Sequence, residues 1–68
     1  MEGWTCIFTS AYIHEIELLR GILEDRQIKA IVVNKQDSSY LFGEIELYVS
    51  VEDAFNAIQI IKSPENLE

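Results

Sequence analysis

The sequence predicts a small α+β domain in the order βαββα, and three observations predict it. Ile45, Leu47 and Val49 alternate with Glu44, Glu46 and Tyr48, the period-two pattern of a strand with one buried face. Tyr12, Ile16, Leu19 and Leu23 recur at the spacing of an amphipathic helix, with Ile22 broadening the stripe. A second helical stripe, Val51, Ala54, Phe55, Ile58 and Ile61, follows the alternating strand with no linker between them. The length of 68 residues sets a single domain over 1–68, with a core at about 4–62 and a polar tail at 63–68. A chain this short buries only about 60% of its unfolded surface, so self-association would help to stabilise it.

In chain order, Trp4 to Thr9 is rich in aromatic and β-branched residues and reads as strand one. Alternation gives Trp4, Cys6 and Phe8 one face and Thr5, Ile7 and Thr9 the other; the bulkier set is assigned to the core. Ser10 is placed to cap a helix over about 11–26, whose exposed side would carry His14, Glu17, Glu24 and Asp25. Glu17 is within reach of Arg20 on that helix. Strand two is predicted over 28–33, with Ile28, Ala30 and Val32 toward the helices and Lys29, Ile31 and Val33 away from them. Residues 34–43 are long for a hairpin loop, which usually has about 2–5 residues. After strand three, Ser50 stands at a helix N-cap position, with Glu52 and Asp53 in the first turn where the helix dipole favours negative charge. Pro64 ends the second helix.

A right-handed crossover through helix one makes strands one and two parallel, and strand three fits between them, antiparallel to both. The result is a three-stranded mixed sheet in the order 1-3-2 with both helices on one face. It is a split β-α-β of ferredoxin-like type that lacks the last strand. Strand one is left as an exposed edge, open to pairing with another chain. The outer sheet face would carry Ile7, Ile31, Val33 and Tyr48 among polar residues, and these four are the interface candidates for a homodimer or other homo-oligomer. The loop supplies the other candidates. Asn34, Asp37, Tyr40 and Phe42 combine hydrogen-bonding groups with aromatic anchors, suited to a ligand or protein partner or to covering the end of the core.

Five basic against twelve acidic residues give a net charge of −7, which argues against nucleic acid and against anionic membrane surfaces. No stretch approaches the roughly 20 apolar residues of a membrane span, and no signal-peptide pattern precedes Trp4. With a single cysteine nothing requires an oxidising compartment, and a cytoplasmic location is expected. No cofactor, metal set or catalytic residue is expected. His14 and Glu17 share a helix face, but no second histidine or cysteine pair completes a zinc set. Cys6, mid-strand, reads as a small buried hydrophobe. The carboxylates sit at caps and solvated faces, and Gly3, Gly21 and Gly43 are too far apart for a phosphate loop.

Glu17 to Glu24 (ELLRGILE), Gln27 to Ala30 (QIKA) and Gly43 to Ala54 (GEIELYVSVEDA) together resemble a family of small bacterial domains of unknown function, catalogued as putative prokaryotic signal-transducing proteins. The resemblance runs from about Trp4 to Ile61. It implies a ferredoxin-like fold akin to PII-type regulators and a non-enzymatic regulatory or protein-interaction role through the outer sheet face and the 34–43 loop. The alternative it implies is a PII-like sensor that holds a small metabolite beside that loop at a subunit interface. Gln27 stands where the family usually has glycine after helix one, so a different local turn is expected there.

Overall fold

The computed structural model describes residues 2–36 and 43–62. Its elements are β1 (Trp4–Ser10), α1 (Ile13–Asp25), β2 (Ala30–Asn34), β3 (Ile45–Ser50), a single 3-10 turn at Val51–Asp53 and α2 (Ala54–Lys62). The sheet order is β1-β3-β2, as the crossover argument requires. Both ladders are antiparallel, so the sheet is antiparallel rather than mixed: β1 and β2 run the same way but do not touch.

The core lies between the sheet and the helices. Ile45, Leu47 and Val49 of β3 are fully buried, as their alternation dictates, and they meet Ile16 and Leu23 of α1 and Ala57 of α2. Ile28 and Ala30 close one end, while Leu19, Val32, Ile60 and Ile61 pack around the margin. β3 is the central strand, so its three inward side chains define the core for every other element.

Both predicted helical stripes depart from expectation at their starts. α1 begins at Ile13 rather than Ala11, and Tyr12 is its N-cap residue, 72% exposed. Ser10 is not the N-cap but sits two residues before it: its Oγ accepts from the Tyr12 N–H at 3.0 Å and donates to the Glu15 carboxylate. Hydrogen-bonded on both sides, Ser10 is buried without an unmet polar group. At α2 the Ser50 Oγ accepts from the Glu52 N–H at 3.2 Å, heading the 3-10 turn instead of an α-helical one. Three residues per turn, against 3.6, rotate the start of the helix. Val51 and Phe55 therefore face solvent, and Ala54, Ala57, Ile60 and Ile61 take the inner side.

The turn after α1 also differs from expectation. Gln27 takes the left-handed conformation that a glycine would, with φ of 66°. The Ile28 N–H donates to the Leu23 C=O and the Gln27 N–H to the Glu24 C=O, both at 2.9 Å. Together they make a Schellman motif, with buried Ile28 against buried Leu23 as its hydrophobic contact. That contact and the two hydrogen bonds hold Gln27 in a conformation that costs a residue with a Cβ about 1–2 kcal/mol. The turn is one that a glycine would make, taken up here by a residue with a side chain.

Candidate protein-interaction face

β1 departs most from its own alternation. Its register with β3 runs Trp4 to Ser50, Thr5 to Val49 and Cys6 to Tyr48, then skips Ile7 and resumes with Phe8 opposite Leu47. Ile7 is the extra residue of a β-bulge. Directly paired residues share a face, so Thr5, Phe8 and Ser10 lie toward the helices with Val49, Leu47 and Ile45. Trp4 and Cys6 lie on the outer face with Ser50 and Tyr48. Four expectations are corrected here. Ile7 packs against the core and Thr5 turns toward the helices, whereas Trp4 lies on the outer face and Cys6 is exposed rather than buried. The sequence signal was Ile7 followed by Phe8: two bulky apolar neighbours can both turn inward only if the strand bulges.

The outer face is then defined row by row. Cys6, Tyr48 and Ile31 form one row across the three strands, and Thr9, Glu46 and Val33 form the next. Trp4 stands beside Ser50 at the end of β3. Ile31, Val33 and Tyr48 thus lie where the alternation puts them, half-buried by one another, and Trp4 and Cys6 join them unforeseen. No described element covers this side of the sheet, because the core and its contacts with both helices lie on the other.

Electrostatics pin the middle of the face. The Tyr48 Oη donates to Glu46 Oε1 at 2.8 Å, and the Lys35 Nζ lies 3.4 Å from the same oxygen. The Tyr48 hydrogen bond, aided by the Lys35 charge, holds the Glu46 carboxyl below its ordinary value, with partial burial opposing. The same hydrogen bond, partial burial and the Glu46 charge push the Tyr48 phenol above its own. The bond joins residues two apart on one strand, so the phenol ring stays over the sheet. Its polar tip is satisfied there, which leaves the ring as apolar contact surface.

The loop candidates divide. Asp37, Tyr40 and Phe42 lie outside the described residues. Asn34 ends β2, and its Oδ1 accepts from the Gln36 N–H at 2.9 Å, an Asx turn that starts the loop. The Gln36 Nε2 donates to the Ala11 C=O at 2.8 Å, tying the loop base to the turn between β1 and α1. At the other end Lys35 N–H donates to the Glu44 C=O, and Gly43 adopts φ of 97°. A Cβ on Gly43 would stand 2.7 Å from the Lys35 carbonyl oxygen, so glycine is required there on both counts.

On the helix side, Phe8, Leu18, Leu19, Ile22, Ile60 and Ile61 line an apolar cleft of about 270 Å³ between α1 and α2. His14 and Glu17 are on the exposed side of α1, where Glu17 is engaged with Arg20 at 2.9 Å. Among the described residues no three metal-ligating side chains gather. No helix among them is long and apolar enough to cross a membrane.

A family model described as putative prokaryotic signal transducing protein matches residues 4–65. The chain belongs to this family. The family's description is of signalling rather than catalysis, and its match covers every element of the fold. No curated protein and no solved structure matches the chain.

Proposed function

We propose that this domain is a non-enzymatic regulatory module of signal transduction that works by binding protein. Its outer sheet face packs against a second copy of the chain, and the 34–43 loop, based at one end of that face, is presented to a protein partner. The observation that carries this reading is the uncovered set of Trp4, Cys6, Ile31, Val33 and Tyr48, apolar and contiguous across all three strands. A face of this composition on a 68-residue chain is the kind of surface that interaction sites are made of. The family's signalling description agrees with it.

Native mass spectrometry of the wild type and of Ile31→Lys tests the proposal. A wild-type dimer that becomes a monomer in Ile31→Lys is expected, because the lysine would place a charge within the packed face. An unchanged mass and unchanged stability in the variant would refute the face as the interface.

A further inference from the structure

β1 and β2 are the two edges of the sheet, and they are built differently. The bulge at Ile7 interrupts the row of main-chain groups that β1 offers to a further strand, a device that blunts edges. β2 has no such interruption and pairs with β3 one to one from Ala30 to Asn34. Because Lys35 bonds to Glu44, the residues in phase with it, Ile31 and Val33, direct their main-chain groups to β3. Ala30, Val32 and Asn34 therefore aim N–H and C=O at the free edge. No described strand pairs there.

The side chains along this edge are patterned too. Ile31 and Val33 lie on the outer face, and the alternation continues to Lys29 before them and Lys35 after them, both exposed. Two of the five basic residues in a chain of net charge −7 thus bracket one short apolar strand. We infer that the free edge of β2 takes up an extended acidic segment of a partner protein as a fourth strand. Two apolar side chains of that segment sit beside Ile31 and Val33, with a carboxylate at each end facing Lys29 and Lys35, the latter shared with Glu46, 3.4 Å from its Nζ. The fitting pattern is acidic-x-apolar-x-apolar-x-acidic, and main-chain pairing supplies the rest of the affinity. A second copy of β2 fits poorly. The antiparallel register that pairs all five of its residues sets Lys29 opposite Lys35 twice, and like charges so placed repel. This inference rests on the reading of the domain as a protein-binding module and adds where and what it binds.

The test is a titration of isotope-labelled protein with two capped peptides, ETVTVTE and KTVTVTK, followed by amide chemical shifts. The acidic peptide is expected to shift the Ala30, Val32 and Asn34 amides saturably. The basic peptide should bind at least about ten-fold more weakly, since two exposed ion pairs become two repulsions. The variant Lys29→Glu should erase most of that preference, and its exposed site leaves the fold intact. Val32→Pro removes an N–H that the sheet does not use and should abolish binding. No saturable shift, or equal response to both peptides, overturns the inference. Shifts centred on Trp4, Cys6 and Tyr48 also overturn it, while leaving the outer face standing as a binding surface.

Discussion

The two faces of this sheet use the same strands and live under different rules. On β3, Ile45, Leu47 and Val49 are fully buried under the helices, while Glu46 and Tyr48 between them stay half-exposed. The inner face is closed by apolar packing, with the polar groups that reach it hydrogen-bonded, as Ser10 is. The outer face is apolar as well, yet it includes a carboxylate, a phenol and an ammonium group joined in a line. The inner face therefore settles whether the chain folds. The outer one is free to settle what the folded chain meets.

The sharpest way to break this division is to truncate neighbours on the same strand. Leu47→Ala should cost about 2–5 kcal/mol in chemical denaturation, a core cavity with no route to collapse. Tyr48→Ala, one residue on, should cost roughly 1 kcal/mol or less in the dilute monomer. Equal losses for the two would mean that the outer side is as deeply covered as the inner. A smaller effect of opposite sign is expected at the turn that returns the chain under the sheet. Gln27→Gly should stabilise the domain by about 0.5–1 kcal/mol by relieving the left-handed conformation, with no change in association. Loss of stability there would point to contacts of the Gln27 side chain that outweigh the strain.

The smallest expected effect concerns pH. Glu46 has a lowered folded-state pKa, so its contribution is present above the ordinary carboxylate value and fades as pH falls through the lowered one. Tyr48 is raised, so its contribution is present below the ordinary phenol value and fades as pH rises through the raised one. Melting temperatures of the wild type and Glu46→Gln should differ across neutral pH and converge in acid. A constant difference down to acid pH would remove Glu46 ionisation as the cause.

How far the sequence could be read depended on how locally each element is determined. β3 can be read because its alternation matches its burial, and β2 because it pairs with β3 one to one without a bulge, which puts Ile31 and Val33 on the face of Tyr48. β1 could not be, because its bulge answers to the partner strand: Leu47 must find Phe8 opposite it, and Ile7 is displaced to allow this. Trp4 and Cys6 were lost from the candidate face for that reason alone. The helical stripes were legible in their middles, at Ile16, Leu19 and Leu23, and wrong at their starts, at Tyr12, Val51 and Phe55. Helix starts are fixed by single hydrogen bonds such as Ser10 to Tyr12, which periodicity does not record. Gln27 shows the reverse case, in which the Schellman hydrogen bonds and the burial of Ile28 and Leu23 override a residue's own preference.

The clasp at the base of the hairpin has an evolutionary consequence. Lys35 bonded to Glu44, with Gly43 folded tightly against it, fixes the β2–β3 register before the chain enters the loop. Residues gained or lost beyond the clasp leave every sheet contact where it was, and doubling such a loop costs only about 0.6 kcal/mol. Descendants of this chain can therefore change the length and chemistry of what they present at that end while inheriting the same scaffold. Novelty at the tip is cheap because the hem is sewn.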